Sequence, residues 1–145
     1  MRVAVLIAVI AAAVGCGTSA GAPTPASPSG TSATSKTSLT ITYWAQGAAR
    51  GVSGKWTLRC VPTGGTLPRA ADACRKLAGM KAPFTPIPAD VMCTDQYGGP
   101  QVAIVAGTFR GKRLWVKLQN RNGCEISRFQ RLSFLVPGFG SGAPA

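Results

Sequence analysis

The chain has 145 residues, with 16 lysines and arginines, four acids and no histidine, for a formal net charge of +12 at pH 7. The missing histidine excludes His-based catalytic triads and His-ligated zinc. The acids Asp72, Asp90, Asp95 and Glu125 form no spaced pair for acid–base chemistry, so neither an enzyme, a metal site nor a cofactor is expected.

Arg2 precedes an apolar run at 3–14 that ends at Gly15-Cys16. A positive start, a short apolar core and small residues at its end describe a secretory signal peptide over residues 1–15. The run falls well short of the roughly 18 residues that a membrane-spanning helix needs. Ala13-Val14-Gly15-Cys16 resembles a bacterial lipobox, with Ala13 where Leu is usual. That makes Cys16 the expected lipidation site. The alternative is a cut near Ala20 that discards it. Residues 17–37 contain only Gly, Thr, Ser, Ala, Pro and one Lys. Such a stretch cannot build a core, so 16–37 reads as a lipidated cysteine and a flexible tether. The folded domain is expected at 38–139, with a disordered tail at 140–145. A domain of roughly one hundred residues is small for a self-sufficient core.

Five cysteines are present. With Cys16 lipidated or removed, Cys60, Cys74, Cys93 and Cys124 remain, and an even number in a small exported domain suggests two disulfides. Three pairings are formally open, neighbour pairing being the simplest. Each bridge is worth about 3–4 kcal/mol in the chain-entropy model.

Leu39, Ile41 and Tyr43 alternate with Thr40, Thr42 and Trp44, which predicts a strand. Residues 47–54 read as a loop. Trp56, Leu58 and Cys60 alternate with Lys55, Thr57 and Arg59, a second strand that pairs with the first. Thr66 is placed to cap a helix whose first turn holds Pro68 and whose apolar stripe is Ala71, Cys74, Leu77 and Ala78. Gly79 ends it, and Cys74 on the stripe could reach Cys60. Pro83, Pro86 and Pro88 stiffen a loop over 81–90. Val91-Met92-Cys93-Thr94-Asp95-Gln96-Tyr97, polar at its centre and closed by Gly98-Gly99-Pro100, reads as an exposed extended loop tied down at Cys93. Residues 102–106 form a buried strand and 107–112 a turn with Gly111 at positive φ. Leu114, Val116 and Leu118 mark a half-exposed strand, 120–123 a loop, and Leu132, Phe134 and Val136 a short last strand. The sum is α+β: about five antiparallel strands with one or two helices packed on one face.

Cys60-Val61-Pro62, Gly65, Pro68, Ala73-Cys74 and Leu77 together resemble the signature of the subtilisin-inhibitor-like (SSI) family of bacterial serine protease inhibitors. Leu67 stands where that signature has His, and Arg75 where it prefers Ala, Thr or Asp. Val91-Met92-Cys93 with Tyr97 resembles the family's reactive-site segment. The stretch 107–113 is similar to its central hairpin, and Asn122-Gly123-Cys124 to its closing segment. The resemblance covers residues 38–136. It implies a five-stranded sheet with two helices, the pairing Cys60–Cys74 and Cys93–Cys124, frequent homodimers, and tight inhibition of serine proteases. Carried over, Cys93 is P3, Thr94 P2, Asp95 P1, Gln96 P1′ and Tyr97 P2′. Family members usually carry Met, Lys or Arg at P1, so Asp95 departs from the pattern.

An acidic P1 is wrong for an apolar S1 pocket and repelled by an acidic one. The expected partner is therefore an extracellular serine protease with a basic or polar S1, such as a glutamyl-type endopeptidase. The alternative function is a non-inhibitory basic lipoprotein of the cell envelope that binds a partner with the same scaffold. Contact with the membrane is expected only through the lipid on Cys16, at its outer face, unless the protein is simply secreted. The cations Arg110, Lys112, Arg113, Lys117, Arg121, Arg128 and Arg131 read as attraction to an anionic surface or as a solvated sheet face. Export argues against nucleic acid. Trp44, Trp56 and Trp115 are expected to pack in the core or on the sheet.

Overall fold

Alternation of buried and half-exposed residues places the first strand where the sequence does. In the computed structural model, which describes residues 36–139, β1 (Ser38–Trp44) buries Leu39, Ile41 and Tyr43. The predicted signal peptide, Cys16, the linker up to residue 35 and the tail 140–145 lie outside the described residues. Lys36 and Thr37 are bonded to the body: Thr37 is buried, and its carbonyl accepts from the Cys60 amide at 3.1 Å.

β1 is the spine of an antiparallel sheet. Ile41 faces Trp56 of β2 (Gly54–Cys60) on one side and Val105 of β4 (Val102–Phe109) on the other. β3 (Thr63–Gly65) extends the sheet beyond β2, and β5 (Lys112–Gln119) beyond β4, giving the order β3-β2-β1-β4-β5. One face carries Leu39, Ile41, Tyr43, Leu58, Ala103, Val105, Val116 and Leu118, all buried. Helix α1 (Ala70–Gly79) adds Ala73 and Leu77 to this core. Helix α2 (Gly123–Arg131) adds Phe129, and the chain after it adds Leu132, Leu135 and Val136. Each Leu, Ile, Val or Phe side chain among these that is fully withdrawn from water stabilises the fold by about 1.5–3 kcal/mol. The α+β architecture with two helices is as expected. The disulfide Cys60–Cys74 bolts α1 to β2, with the two Cα atoms 5.4 Å apart.

Four local expectations are corrected. The last strand does not exist: Leu132 closes α2 and Ser133–Leu135 is a 3-10 turn. The buried residues after Phe129 are Leu132, Leu135 and Val136, a helical rather than alternating spacing. The fifth strand is instead the short β3. Thr66 does not cap α1, because its hydroxyl accepts from the Thr57 amide at 2.9 Å while the Thr57 hydroxyl accepts from the Thr66 amide at 3.2 Å. That mutual pairing continues the sheet edge and pushes the helix start past Pro68, to an N-cap at Arg69 without a side-chain cap. The stripe of α1 is Ala70, Ala73, Cys74 and Leu77, whereas Ala71 and Ala78 are exposed. Of the tryptophans, Trp56 packs against the core, but Trp115 is 64% exposed on the outer face of β5.

The turn between β4 and β5 is also shorter than the predicted 107–112. β4 runs on to Phe109, and only Arg110 (φ 49°) and Gly111 (φ 78°) form the bend. Two consecutive positive φ values are what a tight two-residue hairpin needs. Gly107 belongs to the strand at φ 139°, and a Cβ there would fall 2.2 Å from the carbonyl oxygen of Ser38 on β1. Arg110 tolerates its left-handed backbone because of where its side chain goes. Its guanidinium donates to the carbonyls of Leu77, Ala78, Met80 and Lys81 at 2.9–3.3 Å, at the carboxyl end of α1. The carbonyls lie at or just past the negative pole of the helix, and the Leu77 carbonyl is shared with the Met80 amide at 3.3 Å.

Arg110→Ala is expected to lower the unfolding free energy by about 2 kcal/mol, since it loses the charged hydrogen bonds and keeps the backbone strain. Arg110→Gly relieves the strain and should cost about 1 kcal/mol. Urea unfolding of the two variants against the parent separates these contributions.

Candidate functional site

The stretch Val91-Met92-Cys93-Thr94-Asp95-Gln96-Tyr97 has no regular secondary structure, as the sequence suggested. Met92 is 98% exposed, Tyr97 70% and Val91 46%. These are three of the six large apolar side chains that stand exposed among the described residues. Such a concentration on a small domain marks a surface made for contact. Thr94, Asp95 and Gln96 are exposed between them, and Cys93 is half-buried.

What holds this exposed stretch is the junction of β5 and α2. Cys93 is bonded to Cys124, with the Cα atoms 5.4 Å apart. The Gly123 amide donates to the Thr94 carbonyl at 3.0 Å. Gly123 is the first residue of α2, so this N–H is one of the donors that a helix leaves without an internal partner. The Gln96 amide donates to the same carbonyl at 3.0 Å, which folds Asp95 into a three-residue turn. Beyond it, the Gly98 amide donates to the Asn120 carbonyl at 2.8 Å. Residues 120–124 therefore grip the loop on both sides of the Asp95–Gln96 peptide bond. The approach is close: a Cβ on Gly123 would lie 2.1 Å from the Thr94 hydroxyl oxygen.

The grip is itself braced. The Asn122 side chain accepts from the Glu125 amide at 2.9 Å, an N-cap that fixes where α2 begins. Glu125 accepts from Gln119 Nε2 at 2.6 Å and stands where an acid favours the helix dipole. Asn120 is buried and donates from Nδ2 to Gln101 Oε1 at 3.1 Å, tying the junction to the start of β4. On the other flank, Arg128 of α2 donates to the Phe84 carbonyl at 3.0 Å and pins the proline loop that leads into the site. Burial, helped by the nearby Arg131, pulls the Arg128 pKa down from the ordinary arginine range, and Glu125 opposes the pull.

The structure brings Cys93, Thr94, Asp95, Gln96 and Tyr97 together with Cys124, and it joins Cys60 to Cys74 separately, between β2 and α1. Cys16 lies outside the described residues. The sequence reading missed Asn120 and the amide of Gly123 as supports, and it took 120–123 for a plain loop. The available signal was Asn122-Gly123-Cys124-Glu125, a polar cap with an acid three residues on. Among the described residues no cluster of His, Cys, Asp and Glu could hold a metal, and no helix is long and apolar enough to cross a membrane. What the loop offers chemically is an exposed backbone segment tied on either side to residues 120–124.

The sequence profile of a family described as subtilisin inhibitor-like matches residues 33–122. A curated relative, Subtilisin inhibitor-like protein 4 from Streptomyces lavendulae, is 34% identical over 103 residues, which is 69% of this chain and 88% of the relative.

Replacing both Cys93 and Cys124 by Ser opens a loop of sequence separation 31. The double variant should lose about 3–4 kcal/mol of stability, read from denaturant midpoints. An unchanged midpoint would mean that the hydrogen bonds of residues 120–124 hold the loop by themselves.

Proposed function

Because the chain belongs to the subtilisin inhibitor-like family, a family of protease inhibitors, we propose that it is an exported serine protease inhibitor with Asp95–Gln96 as its scissile bond. In this reading Cys93 occupies P3, Thr94 P2, Asp95 P1, Gln96 P1′ and Tyr97 P2′. The observation that carries it is the two-sided grip of residues 120–124 on the loop.

A protease recognises an extended segment by pairing its own edge strands with the segment's backbone. Here the segment is ordered before binding, so little conformational entropy is lost on association. When the enzyme attacks Asp95–Gln96, the two new ends stay attached to the body. Cys93 is held by the disulfide, Thr94 by the Gly123 amide and Gly98 by the Asn120 carbonyl. Religation then competes with release, and the enzyme remains occupied. An interface of this class buries about 1,600 Å² in total.

Asp95 selects the enzyme. Its carboxylate is exposed, so it loses its water on entering S1. An apolar pocket leaves it unpaired at a cost of several kcal/mol, and a trypsin-type pocket sets it against another carboxylate. A pocket lined by basic or polar groups, as in a glutamyl-type endopeptidase, is the complement. We assign Cys16 as the lipid anchor that keeps the inhibitor at the outer face of the cell membrane.

The test is a panel of serine proteases that differ in S1. Tight inhibition of a glutamyl-specific enzyme, with little effect on subtilisin or trypsin, is expected. Asp95→Lys should improve trypsin inhibition by about a hundredfold or more, equivalent to roughly 3 kcal/mol. If the parent is silent across the panel and Asp95→Lys stays silent against trypsin, the loop is not inhibitory. The reading then passes to a basic envelope lipoprotein built on the same scaffold.

A further inference from the structure

Asn122 and Gly123 are neighbours for two separate reasons. Asn122 supplies the side chain that starts α2, accepting from the Glu125 amide at 2.9 Å. Gly123 supplies the bare Cα that lets Thr94 come close, since a Cβ there would lie 2.1 Å from the Thr94 hydroxyl oxygen. Together they make an Asn-Gly pair, in which the backbone nitrogen can reach the preceding side-chain amide with least hindrance. Asparagine is among the thermolabile side chains. The chain's other asparagine, Asn120, is buried, donates from Nδ2 to Gln101, and is followed by Arg121. Asn122 is only half-buried, so water reaches it.

From this we propose that Asn122 is a site of spontaneous deamidation, and that the seated loop 91–97 controls its rate. In the reaction the Gly123 nitrogen loses its proton to hydroxide and attacks Cγ of Asn122. The new N–Cγ bond closes a succinimide ring. The Cγ–Nδ2 bond breaks, and Nδ2 leaves as ammonia after taking a proton from water. Water then opens the ring at either carbonyl. Opening at Cγ leaves an aspartate. Opening at the backbone carbonyl carbon leaves an isoaspartate, whose main chain runs through the former side chain. Either product carries a new negative charge.

The position favours the first step, because the positive pole of α2 stabilises an anion on the Gly123 nitrogen. The seated loop opposes it. The Gly123 amide donates to the Thr94 carbonyl at 3.0 Å, which holds the proton on nitrogen. The extended backbone of Asn122 (φ −153°, ψ 170°) is fixed between that bond and the Glu125 cap. Cys124, next in the chain, is tied to Cys93. The nucleophile is engaged while the loop is seated and freed when it lifts. The two products then differ in consequence. An aspartate keeps an oxygen for the cap and adds a charge that the helix dipole favours. An isoaspartate lengthens the backbone by one bond, about 1.5 Å, which carries the Gly123 amide out of register with Thr94. The first product leaves the loop seated, and the second unseats it.

The experiment incubates the purified protein at mildly alkaline pH and follows the exchange of side-chain amide for acid by peptide mapping and mass. Neither this readout nor the next depends on the loop's being inhibitory. The samples are the folded parent, the parent unfolded in urea with its disulfides intact, and the double variant Cys93→Ser, Cys124→Ser where circular dichroism shows it folded. Conversion confined to Asn122 is expected, about tenfold or more slower in the folded parent than in urea, with the double variant faster than the parent. Amide hydrogen exchange across 91–98 should be faster in the isolated isoaspartate form and near the parent's in Asn122→Asp. No conversion in urea, or conversion at Asn120 instead, would overturn the site. Equal rates in the folded and unfolded parent would overturn the control by the loop, as would a folded double variant that converts no faster than the parent. Unchanged exchange in the isoaspartate form would overturn the unseating. Where the double variant does not fold, sub-denaturing urea takes its place: conversion should rise with the exchange of the 91–98 amides, ahead of global unfolding. Conversion that rises only with global unfolding would overturn the control by the loop.

Discussion

The first amide of α2 has no helical carbonyl to bond, and it bonds the carbonyl of Thr94 instead. The geometry of the exposed loop depends on that substitution. Asn122 has to terminate the helix at that point, so that the Gly123 amide faces outward rather than into another turn. Gly123 has to lack a side chain, because the Thr94 hydroxyl lies where a Cβ would be. Phe129 and Leu132, further along the same helix and its end, lock α2 onto the sheet. The loop is thus anchored, through one helix end, to the hydrophobic core. An unpaired donor is a liability at most helix termini, and here it is the means of holding an irregular segment without covering it.

The opposite pole of the other helix is handled in a complementary way. The last carbonyls of α1 accept from Arg110, which belongs to the turn between β4 and β5. Each helix therefore has one end completed by a residue from outside itself, and each such contact fixes the helix against the sheet. Two disulfides reinforce the same pair of joints, Cys60–Cys74 at α1 and Cys93–Cys124 at α2. In a domain of about a hundred residues these constraints make up for the limited apolar area available to bury. The charge is distributed unevenly around this frame. Arg110 and Arg128 donate to the protein's own carbonyls, whereas Lys55, Arg59, Arg113 and Lys117 are left to solvent.

Wherever the pattern has period two, the sequence was legible. Leu39-Ile41-Tyr43 and Leu114-Val116-Leu118 disclose both the strand and its buried face, because a one-residue slip would expose them all. The loop 91–97 was legible for a different reason, since its polar centre and flanking breakers leave it nothing to pack. The failures fall where the apolar residues are few. Leu132, Phe134 and Val136 mimic alternation over a window too short to separate it from the turn of a helix, and the buried Leu135 breaks the pattern. Thr66 met the rules for a helix cap, yet its reciprocal bonding with Thr57 depends on a strand partner nine residues away that local rules do not see. The support from Asn120 and Gly123 was legible only in part. Asn122 and Glu125 could have marked where α2 begins, but the ties to the loop itself are made by backbone atoms, and the identity of a residue says nothing of where its amide points.

The two halves of the gripped loop are not fastened alike. On the side of Thr94 the tie is a covalent bond, and on the side of Gly98 it is a hydrogen bond of 2.8 Å to Asn120. Only Gln96 and Tyr97 lie between the Asp95–Gln96 bond and that second tie. A new amino terminus at Gln96 would have a leash of two residues, about 7 Å at full extension. Its effective concentration near the Asp95 carboxyl would exceed the mM values of a short flexible linker, because the leash is shorter and is tied to the buried Asn120. The equilibrium between the intact and the cut chain would then be an intramolecular one, set by the strength of the weaker tie. Loosening the Asn120 hydrogen bond would shift it toward the cut form without touching a residue of the loop.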